Sequence, residues 1–349
     1  MDTQLPSSPV SKRSIYIASV TLLLTLSTTI IAGLITQQAV SIRLQRFFNR
    51  EADQIANTYY NKLHTHITIL EGLRGLWNSS NKFTQASFNA YLSSYDLFSL
   101  DKSGVSTYFY IPTVSSSAVA SFEAQLRQEK INDYAYQKFA LHPQSNLDVR
   151  YPVAYGYPLK GRETALGLDF ATFPERLDAI TYARDENKLA TTKAVTMQTT
   201  GKPGFFFLLP LYQPNLPLER TPERKTAFAG VVGAAFRSES AFEQIFGGAD
   251  PYPDLNFHIY QGEATTADRL LYNNDPAYTP VKPRYSTTRI VRLQGQTWTI
   301  VVQSKSSFRL LDIEQRLPLL VFSFGIIMTL ILAIFSLSKL AKIRHHSGL

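Results

Sequence analysis

The side chains best suited to metal binding or proton transfer, the histidines, are few and scattered in this sequence. The six are His64, His66, His142, His258, His345 and His346. His64 and His66 stand two apart on a predicted helix, where such residues point in different directions and form a poor metal-binding pair. His345 and His346 follow the last apolar segment, without the sequence context of a kinase phosphoacceptor. The histidines therefore predict no metal site.

Motifs of known catalytic chemistry are also missing from the sequence. The chain has no cysteine, which excludes a thiolate metal site, a cysteine nucleophile and a disulfide framework. It contains neither HExxH, nor GxSxG, nor a phosphate-binding loop. The glycines and lysine of residues 201–204 surround Pro203, which lacks an N–H donor and suits a turn between strands. We expect no catalytic residue, no cofactor and a protein that is not an enzyme.

Two long uncharged apolar segments lie near the ends of the 349-residue chain, over residues 14–42 and 317–338. A bilayer core about 30 Å thick takes about 20 apolar residues in a helix, because only internal hydrogen bonds satisfy the backbone in lipid. We therefore expect transmembrane helices over residues 14–36 and 317–338. The alternative for the first, a cleaved signal peptide, fits less well, since its apolar run exceeds the roughly 7–15 residues typical of such peptides.

The orientation in the membrane is predicted from five basic residues that flank these segments. Lys12 and Arg13 precede the first, and Lys339, Lys342 and Arg344 follow the second. Positive residues next to a span tend to stay in the cytoplasm. Residues 1–13 and 339–349 are thus expected inside, and the middle of the chain in the periplasm of a bacterial inner membrane. These five residues supply much of the formal net charge of +8, so no nucleic-acid surface is expected.

A long amphipathic helix is expected directly after the first span, over residues 37–77. Its apolar residues recur at steps of three and four, the pattern of one helix face. They are Val40, Leu44, Phe48, Ala52, Ile55, Tyr59, Leu63, Ile67, Leu70, Leu73 and Trp77. Such a stripe can pair with a second copy or pack on its own domain, and we expect both in different stretches. Gly72 and Gly75 are expected to weaken the helix.

Helices and strands alternate in residues 78–226. Ser80 or Asn81 is expected to cap a helix, and further helices are expected over 116–130 and 174–184, the latter with Pro174 in its first turn. Strands rich in β-branched and aromatic residues are predicted over 105–111, 151–155, 193–198 and 204–212. Residues 213–226, with three prolines, are predicted to form a linker.

A second set of strands is expected beyond this linker, over residues 228–237, 255–261, 287–293 and 297–303. Gly295 and Gln296 are expected to form the turn between the last two strands. Residues 304–316 are predicted to lead as a helix into the second span. The expected division is thus a subdomain over residues 78–226, a second over 227–305, and a connecting helix over 306–316.

Six phrases in the middle of the chain resemble the CHASE sensory domain, found outside the membrane in receptor kinases and nucleotide cyclases. The phrases are LRGLWNSS at residues 73–80, FEAQLRQE at 122–129, YPVAY at 151–155, GLDFATFPERLDAITYAR at 167–184, LLPLY at 208–212 and AGVVGAAFR at 229–237. Each phrase alone is weak, but together they occur in the family's order between two predicted spans.

The resemblance implies an α+β fold, with a long stalk helix and two PAS-like subdomains between the two spanning helices. It implies a homodimer that signals across the membrane and holds a small-molecule ligand in the membrane-distal subdomain. The aspartate that reads adenine in cytokinin receptors corresponds to Arg176 here. A cation that only donates hydrogen bonds disfavours cytokinin and favours an acidic or carbonyl-bearing ligand.

The pocket residues implied by the resemblance are Val153, Tyr155, Phe170, Arg176, Thr192, Gln198, Phe206 and Leu208. Aromatic and aliphatic residues on strands are more often core than ligand contacts, and Arg176 on a helix could be solvated. Asp169 is expected to be a cap or turn residue. These alternatives stay open at the level of sequence.

The output of such a sensor is not predicted by the sequence. Only residues 339–349 follow the second span, too few for a kinase or cyclase domain. The chain is therefore either the sensor part of a longer protein or a stand-alone sensor that acts through a membrane-bound partner. A different class, a two-span assembly protein such as a polysaccharide chain-length regulator, is the alternative, although such proteins rely more on long helices.

Overall fold

The fold is described from a computed structural model. It describes residues 12–80, 82–95, 104–129, 134–143, 146–198, 201, 203–248, 251–278, 282–309 and 312–346. The chain divides into two compact units. One comprises Met1–Arg50 with Ser307–Leu349, and the other comprises Glu51–Ser306.

Helix α1 runs without interruption over Lys12–Ser79, through the two glycines that were expected to weaken it. Gly72 faces the hydroxyl of Tyr91 so closely that a Cβ atom would not fit there. The predicted apolar stripe from Leu44 to Leu73 is at most 4% exposed. The chain itself covers this face of α1, so the stripe does not offer these residues to a second copy.

The described helices after α1 are mostly short. Their bounds are α2 Gln85–Ser93, α3 Val119–Gln128, α4 Tyr134–Gln137, α5 Pro174–Glu186, α6 Thr221–Ala227, α7 Ser238–Phe246 and α8 Asp312–His346. A 3₁₀ turn at Ser116–Ala118 precedes α3, so the helix predicted over 116–130 is confirmed as far as Gln128, and residue 130 lies outside the described residues. The helix predicted over 174–184 is confirmed as α5.

Twelve strands are described. They are β1 Val105–Pro112, β2 Val114–Ser115, β3 Val149–Arg150, β4 Tyr155–Tyr157, β5 Ala190–Thr191, β6 Val195–Thr196, β7 Pro203–Tyr212, β8 Phe228–Arg237, β9 Leu255–Gln261, β10 Leu270–Asn273, β11 Ser286–Leu293 and β12 Gln296–Ser304. The larger sheet has the order β4-β1-β8-β7-β5, with β6 also paired to β7, and the smaller sheet has the order β10-β9-β12-β11. Strands β2 and β3 form a separate pair.

Strand β8 was expected to open a second set of strands, but it lies at the centre of the larger sheet. It pairs antiparallel with β1 on one side and with β7 on the other. Gly233 permits this position, because a Cβ atom there would overlap the Phe109 ring and the Phe207 carbonyl oxygen. The boundary expected between residues 226 and 227 therefore falls just before a central strand, and the smaller sheet begins only with β9.

Several local predictions differ from the structure. The strand predicted over 151–155 shares only Tyr155 with β4, and the strand predicted over 193–198 is reduced to Val195–Thr196. The predicted linker contains α6, where Arg224 donates from Nε to the Asp185 carbonyl oxygen at 2.7 Å. Thr84 rather than Ser80 caps α2, accepting from the Ser87 N–H at 3.2 Å, while Asn81 lies outside the described residues.

The last segment of the Glu51–Ser306 unit also differs from the prediction. Residue 304 ends strand β12, and α8 begins only at Asp312, so the helix predicted over 304–316 is wrong in its first half. The turn between β11 and β12 is formed by Gln294 and Gly295, one residue earlier than predicted. Both have positive φ, 50° and 79°, as a two-residue hairpin turn of type I′ requires.

The larger sheet lies between α1 and helix α5. On one face, the His66 ring of α1 contacts the Tyr108 hydroxyl through Nδ1 at 2.7 Å and packs edge-on against Phe236. Trp77 donates from Nε1 to the Tyr212 carbonyl oxygen at 2.7 Å. Because side chains alternate along a strand, Phe109 and Phe206 point to the opposite face, where α5 lies.

The other unit contains two helices that are long and apolar enough to cross a membrane. These segments lie within Ile15–Ser79 of α1 and at Arg316–Lys339 of α8. The two helices touch at small residues, since Gly33 faces Phe322 and Gly325 faces Thr29 without room for a Cβ atom. Arg43 Nη1 also pairs with Glu314 Oε1 at 2.9 Å. Close approach through glycine and threonine is typical of helices that associate in lipid.

Candidate ligand-binding site

A mostly apolar cavity lies between the larger sheet and the first turn of α5. The space open to the centre of a water molecule is about 40 Å³. Since a single water needs about 10–15 Å³ by this measure, the cavity holds about three waters. Its lining consists of Ser106, Thr107, Phe109, Val153, Gly156, Leu159, Arg162, Ala165, Leu166, Leu168, Phe170, Arg176, Met197, Gln198, Phe206 and Ala235.

Arg176 is the most unusual residue of this lining, because an arginine is seldom buried without a partner. It lies in the first turn of α5, which begins at Pro174, and it is only 1% exposed. Its guanidinium carbon lies 3.9 Å from the centre of the Phe173 ring, 4.7 Å from that of Phe170 and 5.1 Å from that of Phe206. Three phenylalanines thus surround the cation, a favourable cation–π arrangement.

The hydrogen-bonding capacity of Arg176 is largely unused. Its Nη2 donates to the Thr196 carbonyl oxygen at 3.5 Å, the long limit of a hydrogen bond. Within the described part of the chain, neither Nε nor Nη1 has an acceptor. Burial lowers the pKa of the Arg176 guanidinium to about 10, and the nearby Glu175 carboxylate opposes this change. The group therefore remains charged at neutral pH, and the described lining residues include no counter-ion for it.

A second polar group lies on another part of the lining. Arg162 donates from Nε to the Ser106 hydroxyl at 3.0 Å and from Nη1 to the Lys160 carbonyl oxygen at 3.2 Å. Thr107 donates to the Pro158 carbonyl oxygen at 3.1 Å. These bonds hold the segment after β4 against β1 and so fix one side of the cavity.

Five of the eight residues expected in a pocket come together around this cavity. They are Val153, Phe170, Arg176, Gln198 and Phe206. Arg176 is buried rather than solvated, because it lies in the first turn of α5 and its side chain packs between the Phe170, Phe173 and Phe206 rings. The alternative of a solvated arginine is therefore wrong.

The other three expected pocket residues lie elsewhere. The Tyr155 ring packs against Tyr110 and against Phe88 of α2, with distances between ring centres of 5.3 Å and 5.9 Å. Thr192 accepts from the Phe206 N–H through Oγ1 at 3.0 Å, which ties the sheet edge together. Leu208 is fully buried in β7, opposite Ala190 of β5. None of the three belongs to the cavity lining.

Asp169 fills the role of a turn residue, as the sequence suggested. It is buried, and its Oδ1 accepts from the N–H groups of Tyr151 at 2.8 Å and Ala171 at 3.0 Å. This carboxylate joins the 151–154 segment to the turn before α5. It thereby sets the position of both Phe170 and Arg176.

Sequence reasoning missed several lining residues, notably Phe109, Leu159, Leu168 and Met197. Alternation along β1 was an available signal for Phe109, since its neighbours Tyr108 and Tyr110 face the opposite side of the sheet. Leu159 and Leu168 lie in irregular segments, for which no periodicity exists.

Within the described residues, no three His, Asp or Glu side chains form a group that could hold a metal ion.

The sequence of residues 81–272 matches the profile of one protein family, the CHASE domain. The match covers more than half of the 349 residues. The chain belongs to the CHASE domain family. The matched region runs from just before α2 to β10, so it contains the whole larger sheet, the cavity and part of the smaller sheet. A CHASE sensor domain is therefore flanked by the two apolar helices.

Solved structures similar to this CHASE protein include ligand-binding domains of receptors. An extracellular ligand-binding receptor from Desulfohalobium retbaense DSM5692 has 8% identity and a TM-score of 0.44, and covers 74% of this chain. The chain spans only 40% of that receptor.

Two further similar structures are ligand-binding domains of amino acid chemoreceptors from Pseudomonas aeruginosa PAO1. PctC in complex with GABA has 14% identity and a TM-score of 0.39, with 72% of this chain and 97% of that chain covered. PctB in complex with L-Arg has 12% identity and a TM-score of 0.41, with coverages of 75% and 88%. These values are too low to bear on the ligand of this CHASE domain. No curated protein matches the sequence.

Proposed function

We propose that this protein is a two-span membrane receptor whose CHASE domain lies outside the cytoplasm and binds a small acidic or carbonyl-bearing ligand at Arg176. Binding changes the arrangement of the domain, and α1 and α8 carry this change across the membrane. Both termini lie in the cytoplasm. Any kinase or cyclase activity belongs to a further domain or to a membrane-bound partner, and the receptor acts as a homodimer.

One observation carries the binding part of this proposal. Arg176 is buried next to an apolar cavity, and two of its three guanidinium nitrogens lack an acceptor among the described residues. Burying a charge without a partner destabilises a folded protein. A ligand that supplies an acceptor oxygen would form hydrogen bonds with these donors. Its binding would be favoured because it removes the free-energy cost of the unpaired buried charge.

Contacts across the larger sheet support a route from the cavity to α1. Phe206 faces Arg176, while its neighbours Phe205 and Phe207 face the other side and pack on Phe236 at ring distances of 4.7 Å each. Phe236 in turn packs on His66 of α1 at 5.3 Å. Since α1 is continuous over Lys12–Ser79, movement of the sheet is passed to the segment that is apolar enough to span a membrane. A ligand shifts the equilibrium between two arrangements of the domain only if it binds them with different affinities.

A thermal-shift screen of the full chain in lipid nanodiscs tests the binding part of the proposal. We expect at least one compound of a broad metabolite library to raise the unfolding midpoint, and that compound to carry a carboxylate or carbonyl group. Arg184→Met provides a matched control, because Arg184 lies on the same helix but pairs with Asp185 at 2.6 Å outside the cavity, and this variant should respond like the wild type. If no compound shifts the midpoint, the domain is not a small-molecule receptor of this kind.

A further inference from the structure

We infer that the ligand is a short aliphatic monocarboxylate without an ammonium group, of the size of acetate or propionate. This inference rests on the proposed function and narrows the class of ligand at the same cavity. It follows from the charges of the lining, the unused donors of Arg176 and the size of the apolar space.

The charges of the described lining residues are all positive. Arg162 and Arg176 contribute guanidinium groups, and the described lining contains neither aspartate nor glutamate. A bound anion is attracted by both cations, whereas an ammonium group is repelled and meets no carboxylate. Amino acids, which carry both charges, are therefore poorer ligands for this cavity than acids of the same size.

The donors of Arg176 favour a carboxylate over a neutral carbonyl group. Its Nε and Nη1 together carry three N–H bonds that find no acceptor in the described part of the chain. A carboxylate offers two oxygens with about four lone-pair sites and a full negative charge, and such charge-assisted hydrogen bonds are roughly twice as strong as neutral ones. An amide offers one uncharged oxygen, and its NH₂ group would bring further donors to a site that already has too many.

The space beside the guanidinium limits the ligand to a few atoms. The cavity has room for about three waters, and apolar side chains such as Val153, Leu159 and Leu168 are buried around it. A two- or three-carbon acid places its carboxylate at Arg176 and its alkyl group against these side chains. A longer diacid such as succinate has more atoms than this space holds, which disfavours its binding.

A panel of matched small molecules tests this inference on the full chain in nanodiscs. The midpoint of thermal unfolding is measured with acetate, propionate, propionamide, alanine and succinate at equal millimolar concentrations. We expect acetate or propionate to raise the midpoint and the other three to leave it nearly unchanged. In Arg176→Met, the apparent affinity for the acid should fall by about 100-fold or more, as when one partner of a buried charge pair is removed. In Arg184→Met it should stay as in the wild type.

The possible results separate the inference from the proposed function. If alanine, succinate or propionamide binds as well as propionate and Arg176→Met abolishes that binding, the ligand class is wrong and the site stands. If no member of the panel binds, the ligand class is also wrong, and the library screen decides the proposed function. If acid binding survives in Arg176→Met with wild-type affinity, the site itself is wrong.

Discussion

Arg176→Met is expected to make the unliganded protein more stable while removing its response to ligand. The guanidinium is buried among three phenylalanine rings, and its one hydrogen bond within the described residues is long, to the Thr196 carbonyl oxygen. Methionine is apolar and flexible enough to fill such a space. Replacing buried charged groups with apolar residues of similar volume is neutral or stabilising by about 1–4 kcal/mol, and the loss of the cation–π contacts reduces this gain. We expect the free energy of unfolding to rise by about 1–2 kcal/mol.

Chemical unfolding of the wild type, Arg176→Met and Arg184→Met, each in the same detergent, checks this result. Arg184→Met removes an ion pair at a half-buried position, so it should leave the stability unchanged or lower it slightly. If Arg176→Met gains stability and loses ligand binding while Arg184→Met does neither, Arg176 is retained for function at a cost in stability. If Arg176→Met destabilises the protein by several kcal/mol, the arginine is a structural group with a partner that satisfies it.

Trp298→Ala is expected to give the largest loss of stability in the chain. Trp298 lies in β12 of the smaller sheet and is 0% exposed. The centre of its ring lies 6.0 Å from that of Tyr59 in α1 and 6.0 Å from that of Phe207 in the larger sheet. It therefore joins both sheets and the long helix. Removing a buried tryptophan costs about 3–5 kcal/mol, because the cavity that remains closes only in part.

Trp298→Phe is the matched variant for this prediction. No described group accepts a hydrogen bond from the buried Nε1 of Trp298, so phenylalanine keeps most of the packing and removes an unsatisfied donor. We expect a change of about 1 kcal/mol or less. The free energies come from chemical unfolding followed by circular dichroism. Equal and small effects of both substitutions would mean that the two sheets are not joined through this residue.

The regular elements of the fold were predictable because their patterns are local. The stripe on α1, the strand at 105–111 and the helix that begins at Pro174 follow from periodicity and from the preferences of proline. The central position of β8 was not predictable in this way. The pairing of strands depends on contacts far apart in sequence, and the proline-rich segment before β8 looked like a boundary although α6 and Arg224 order it.

The candidate site was predictable only in part, for a similar reason. Arg176 and Phe206 were expected from the resemblance to the CHASE family, but their close approach depends on α5 packing on β7. Tyr155 does not line the cavity, because residues 155 and 156 of β4 face opposite sides of the sheet and Gly156 is the one that reaches it. No described feature favours the alternative of a polysaccharide chain-length regulator.

The central claim, a sensor domain outside the cytoplasm between two membrane helices, is tested most directly by cysteine labelling in intact cells. The chain has no cysteine of its own, so a single introduced cysteine reports its own position without background. We predict that a membrane-impermeant maleimide labels Ser115→Cys, at an exposed position before α3, in intact cells with a permeabilised outer membrane, and labels Ser347→Cys only after lysis. Labelling of Ser347→Cys in intact cells, with Ser115→Cys protected until lysis, would contradict the account.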